Sequence, residues 1–149
     1  MKSGKQKLKR GIFISFEGIE GTGKSTQGRL LSEYLTKKGL KTVLTEEPGG
    51  TPISRQIRKV LLSTKHDKMD YMAELLLYNA ARIQHIKEKI IPALSKGKIV
   101  ITDRFSDSTI AYQGYGRGIS LRLTDSLDRI ATGRMRPDLT ILLDLDVET

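Results

Sequence analysis

The chain has 149 residues and 38% hydrophobic content, enough for one domain with a real core. It contains no cysteine, which excludes disulfides, thiolate catalysis and cysteine-held metals. The net charge is +9, yet Lys2, Lys5, Lys7, Lys9 and Arg10 supply over half of that excess; with no Trp and few aromatics, this reads as a solvated disordered tail over 1–10, not a nucleic-acid arm. No apolar run approaches the roughly 20 residues of a membrane span, and the basic start lacks the apolar stretch and cleavage site of a secretory signal, so no membrane association is expected and the expected compartment is the cytoplasm.

In chain order, Ile12-Phe13-Ile14-Ser15-Phe16 predicts a buried strand over 11–16. Gly18-Ile19-Glu20-Gly21-Thr22-Gly23-Lys24-Ser25 follows it and fits G-x-x-x-x-G-K-[ST], the phosphate-binding loop. A helix over 24–38, closed by Gly39, completes the strand–loop–helix context that the motif requires. The glycines let several N–H groups turn toward one anion, and the helix N-terminus adds partial positive charge. Lys24 then reaches the outer phosphates, and the Ser25 hydroxyl ligates Mg²⁺.

A short strand over 40–46 follows, centred on Val43 and Leu44, then the turn Glu47-Pro48-Gly49-Gly50. Thr51 caps a helix over 52–62 with Pro52 at its first position. Asp70 caps a longer helix over 71–95. Its apolar face is carried by Leu75, Leu76, Ile83, Ile86 and Ile90, and Pro92 is expected to kink or shorten its end. The run 98–102 is a third buried strand, 107–113 a helix before the Gly-rich 114–118, 121–132 a further helix, and 139–143 a fourth strand. His66 in a polar linker and His85 on the long helix both read as solvated.

Buried strands alternating with helices imply an α/β fold with a parallel sheet covered on both faces. Right-handed crossovers bring the strand C-termini to one edge, where 17–25, 46–51, 103–108 and 144–149 should border one crevice. Asp103 directly follows the third strand, where a carboxylate facing the loop holds Mg²⁺. Arg104, Arg82 and Arg117 are candidate anion-binding groups, Arg104 foremost. The guanine-reading Asn-Lys-x-Asp of GTPases is absent from the sequence, and the third strand does not end in Asp-x-x-Gly.

Five blocks together resemble the thymidylate kinase family over about residues 11–146. They are 16–26, Glu47-Pro48-Gly49-Gly50-Thr51, Asp103-Arg104-Phe105 with Ala111-Tyr112-Gln113-Gly114, the run 136–144, and Leu75-Leu76-Leu77-Tyr78-Asn79-Ala80-Ala81-Arg82. The resemblance implies a P-loop NTPase-type three-layer sandwich that moves the ATP γ-phosphate onto dTMP with Mg²⁺. It implies that Gly18, Glu20, Gly21, Thr22, Gly23, Lys24, Ser25 and Thr26 bind ATP, and that Ser25 and Asp103 hold the metal. Lys24, Asp103 and Arg104 would be catalytic. Glu20, Tyr78, Arg82, Arg104, Thr109, Tyr112 and Gln113 would take dTMP, with Tyr78 stacking on the base and Arg82 hydrogen-bonding it. A homodimer packed through helices, including the one from Tyr71, is also implied.

Two departures accompany the resemblance. Glu46 stands where many bacterial members have Arg, and Gly21 stands where some carry an arginine in the loop. The second type takes its catalytic arginine from a mobile lid beyond the fourth strand, so the domain over 11–149 is expected to lack the lid and the last strand. A transition-state arginine contributes roughly 10³–10⁵ in related phosphoryl transfer. A kinase for another nucleotide or deoxynucleoside, and a nucleotide-binding module with little turnover, therefore stand as alternatives.

Overall fold

A computed structural model describes residues 10–146. The elements in order are β1 (Ile12–Glu17), α1 (Lys24–Lys37), β2 (Thr42–Glu46), α2 (Pro52–Leu61) and α3 (Tyr71–His85). After α3 come a π-helical turn (Ile86–Ile90), α4 (Ile91–Ser95), β3 (Ile99–Asp103) and α5 (Ser106–Thr109). A second π-helical stretch (Ile110–Gly116), α6 (Leu121–Thr132) and β4 (Leu139–Leu142) complete the chain. The sheet runs β2-β3-β1-β4, and every pairing is parallel. The expected α/β class, parallel sheet and helix-covered faces are therefore present.

Sheet alternation divides the core. On one face Ile14, Phe16, Ile99 and Ile101 pack under Leu31 and Leu35 of α1. On the other, Phe13 and Val100 meet Ile86, Ile90, Ala93 and Phe105. Phe13 and Phe105 cross edge to face with centroids 5.0 Å apart. Such a pair adds about 0.5–1.5 kcal/mol to the roughly 1.5–3 kcal/mol from burying each ring. Residues 99, 101 and 103 of β3 share the α1 face, so the alternation that buries Ile101 also turns Asp103 toward the start of α1.

Three local expectations change. The long helix is not shortened at Pro92; it passes through the π turn and continues to Ser95, with the proline directly after that turn. Leu76 and Ile83 are exposed, whereas Leu75, Asn79, Ala81, Arg82 and His85 are buried, so the inward face of α3 is largely polar. The helix expected over 107–113 begins one residue earlier and changes to π geometry at Ile110. The basic tail lies outside the described residues except for Arg10, which pairs with Asp138 at 2.6 Å. Asp138 also accepts the Phe13 N–H at 2.8 Å, and that bond holds its carboxyl below the ordinary value, aided by Arg10 and opposed by slight burial.

Candidate active site

The loop between β1 and α1 is shaped by backbone conformations that side-chain-bearing residues resist. Gly21 and Gly23 lie at φ 79° and 84°, and a Cβ on Gly18 would come within 2.5 Å of the Leu143 carbonyl. Lys24 opens α1 and is 6% exposed; its Nζ donates to the Ile19 carbonyl at 2.6 Å, holding the ammonium over the loop. The Ser25 hydroxyl donates to Asp103 Oδ2.

This edge of the sheet opens into a cleft of about 1000 Å³. Of the residues expected to bind ligands, Glu20, Gly21, Gly23, Lys24, Ser25, Thr26, Tyr78, Arg82, Asp103, Arg104, Thr109, Tyr112 and Gln113 all line it. Gly18 and Thr22 do not line it; Gly18 packs against Leu143, and Thr22 donates to the Ile19 carbonyl at 3.0 Å. Segments around 20–26, 46–48 and 103–109 border the cleft as expected, but 144–146 do not, and 147–149 lie outside the described residues.

Arg104 joins the two halves of the cleft. Its Nη2 donates to Glu20 of the loop at 2.6 Å, its Nη1 to Ser108 at 3.1 Å, and its guanidinium lies 5.1 Å from the Tyr112 ring centroid. Burial opposes its charge, but Tyr112 and Glu20 outweigh burial and raise its pKa. The backbone of Arg104 sits at φ 72° and its N–H donates to the Phe16 carbonyl at 2.9 Å, so the side chain leaves the strand end at a fixed angle. Tyr78, which also lines the cleft, is half-buried, and burial followed by the nearby Glu74 charge raises its phenol pKa, keeping it neutral.

Arg82 is only 2% exposed and is held by Glu47, Asp128, Thr109 and the Phe105 carbonyl. Burial works against its charge, yet the two carboxylates more than offset it and its pKa is raised. Gln113 is buried and donates to Glu74 at 2.8 Å, and Arg117 grips the same carboxylate at 3.1 and 3.2 Å. The candidate Arg117 is thus paired across the cleft rim.

His85 corrects the solvated reading. It is fully buried, with Nδ1 2.9 Å from Glu47 Oε1 and Nε2 2.7 Å from Thr45 Oγ1. His66 is exposed as expected. Sequence reasoning also missed Glu17, which accepts from Phe105 N–H at 2.7 Å and Ser108 Oγ at 2.5 Å and so fixes the loop after β3. Burial raises the Glu17 pKa against those hydrogen bonds. Glu17 could have been suspected from its place at a strand end beside the loop. Asp128 had no such signal, because it lies inside α6, away from any strand end.

A parallel sheet whose central strand feeds a glycine-shaped loop, with lysine and serine at the start of the next helix, defines a P-loop α/β domain. The family model for thymidylate kinase matches residues 16–149. The chain is 54% identical over 138 residues to the thymidylate kinase of Citrifermentans bemidjiense, covering 93% of this chain and 61% of that protein. It is 56% identical over 138 residues to the enzyme of Geotalea daltonii, covering 93% of this chain and 64% of that protein. The crystal structure of thymidylate kinase from Ehrlichia chaffeensis superposes with a TM-score of 0.85 at 46% identity, covering 91% of this chain and 77% of that one. The chain belongs to the thymidylate kinase family, and it spans a little over three-fifths of the length of these curated relatives.

Proposed function

We propose that this chain carries the donor loop and acceptor pocket of a thymidylate kinase, transferring the γ-phosphoryl group of ATP to dTMP to give dTDP and ADP. The observation that carries the reading is Arg104, bonded at once to Glu20 of the loop after β1 and to Ser108 of the segment after β3, all three lining the cleft. A cation there can hold the acceptor phosphate beside the phosphates cradled by the loop. Tyr78 offers an aromatic face for a pyrimidine, and Arg82 offers a donor for a base carbonyl.

Phosphoryl transfer asks the protein for positioning and charge neutralisation rather than a covalent intermediate. An oxygen of the dTMP phosphate attacks the γ-phosphorus, the bond from that phosphorus to the β–γ bridging oxygen breaks, and ADP departs. The attacking oxygen is largely ionised near neutral pH, so no strong base is needed. Lys24 and the loop amides bind the donor, and Arg104 restrains the acceptor and its charge.

The donor set fits Mg²⁺, because the Ser25 hydroxyl and the Asp103 carboxylate, both hard oxygen ligands, meet at the start of α1. Bound there, Mg²⁺ would neutralise charge on the phosphates.

ADP release by the purified chain, coupled to a detection enzyme, tests the reading with dTMP, dUMP, dCMP and dGMP as acceptors. Turnover selective for dTMP supports it. Equal rates on all four acceptors, or phosphorylation of a nucleoside alone, would reject it. Binding of ATP and dTMP without turnover would favour a nucleotide-binding module. We also propose self-association through the exposed side of α3, where Leu76 and Ile83 lie open. Sedimentation of the parent and a Leu76→Glu variant checks it, and a monomeric parent would contradict it.

A further inference from the structure

Two buried carboxylates, Glu47 and Asp128, converge on one guanidinium. Glu47 Oε2 accepts from Arg82 Nε at 2.7 Å, and Asp128 Oδ1 accepts from Nη1 at 3.0 Å. Nη2 donates to the Phe105 carbonyl at 3.1 Å and to Thr109 Oγ1 at 2.9 Å. A guanidinium has five N–H donors in one rigid plane. These four bonds fix the plane and leave one N–H, on Nη1, of a side chain that lines the cleft.

The carboxylates themselves are fully engaged by the protein. Glu47 Oε1 faces His85 Nδ1, whose ring is held from its other side by Thr45. Asp128 Oδ1 also accepts from Ser106 Oγ at 2.7 Å, and Oδ2 accepts from Arg136 Nη1 at 2.7 Å. Both oxygens of Asp128 accept from the protein and Asp128 does not line the cleft, so its influence on a ligand passes through Arg82.

We infer that Asp128, supported by Glu47, is a positioning residue for base selection: it locks Arg82 so that its remaining N–H is presented to a hydrogen-bond acceptor on the bound nucleobase. This rests on the acceptor pocket proposed above. A locked donor pairs with the ring carbonyl of thymine and meets the amino group of cytosine donor to donor, leaving both unpaired. A loose guanidinium could swing away from that amino group. The lock therefore acts on the ratio of dTMP to dCMP affinity more than on nucleotide binding in general.

Calorimetric titration of the 149-residue chain with dTMP, dCMP and ATP tests this. Asp128→Asn keeps the shape but replaces one acceptor oxygen with an amide donor inside the cluster. The dTMP:dCMP affinity ratio should fall about tenfold, equivalent to about 1.4 kcal/mol, while ATP affinity stays within about twofold. Arg136→Gln alters a half-exposed side chain and frees Asp128 Oδ2. It should move the ratio the same way, by about threefold, equivalent to about 0.7 kcal/mol, and it decides the question if Asp128→Asn does not fold. A parent that prefers dTMP, with an unchanged ratio in a folded variant, overturns the inference alone. So does a parallel loss of dTMP and ATP binding. A parent with no preference for dTMP overturns the acceptor reading and this inference together.

Discussion

Replacing Arg82 with methionine should be among the most damaging single changes in the chain. The substitution keeps an unbranched side chain but removes the partner of two carboxylates that are 4% and 0% exposed. It also removes a cation 5.2 Å from the Phe105 ring centroid. Arg136 still reaches Asp128 and His85 still reaches Glu47, so the acids are not wholly abandoned. Breaking a buried ion pair by deleting one partner costs about 3–5 kcal/mol, because the surviving charge stays desolvated. Against a total stability of about 5–15 kcal/mol this is a large share. At about 2–4 °C per kcal/mol for a chain of this size, the midpoint should drop by roughly 6–20 °C. Thermal and urea unfolding followed by circular dichroism measure the midpoint and the free-energy change, since the sequence has no Trp to report by fluorescence. Glu47→Gln in the Arg82→Met background should cost much less than in the parent, because the pair is already broken. An Arg82→Met chain within about 1 kcal/mol of the parent, or full additivity of the two changes, would refute the reasoning.

Other outcomes follow from the same geometry. Lys24→Ala should weaken ATP binding at least about tenfold, the scale of one charge-assisted hydrogen bond, with dTMP binding spared; titration calorimetry reads both. Gly50→Ala should destabilise the chain by about 1–3 kcal/mol, because Gly50 lies at φ +81° and an added Cβ would sit 2.5 Å from the His85 ring; urea midpoints report it. The Glu17 pKa is raised, so as pH climbs above about 4.5 the unfolded chain ionises first and the parent loses stability until the folded value is passed. Glu17→Gln should remove that loss, and urea midpoints at pH 4.5 and 8 give the difference. Asp138 has the opposite sign. Its lowered pKa contributes stability above about 3.8 that disappears as pH falls through the folded value, so Asp138→Asn should differ from the parent at pH 7 and converge with it in acid.

Much of the fold was legible because local rules agreed. The run from Ile12 to Phe16 is apolar but for Ser15 and lies in a central strand, Thr51 caps α2 by accepting the Ser54 N–H, and Asp70 caps α3. Gly39 at φ +85° follows α1 as a terminator should. The glycine-shaped loop after β1 was legible because its glycines, lysine and serine fall within one short stretch. Less legible were the groups whose partners lie far along the chain: Arg82 meets Glu47 across 35 residues and Asp128 across 46. Periodicity placed Leu76 and Ile83 inside because it assumes an apolar core. The inward face of α3 instead carries Asn79, which donates to the Leu75 carbonyl of its own helix, and Arg82 and His85, which are held by groups from β2, α5 and α6. For the same reason His85 looked like a surface histidine. Nothing on its own helix reveals that Glu47 and Thr45 wait on either side of it.

The central claim is that one cleft holds two nucleotides side by side, with Arg104 between them. Titrating dTMP into the chain already saturated with a non-hydrolysable ATP analogue tests it most directly. The expected result is binding of one dTMP per chain on top of the analogue, lost in an Arg104→Gln variant that still takes the analogue. Mutual exclusion of the two ligands, or unchanged dTMP binding in that variant, would contradict the account.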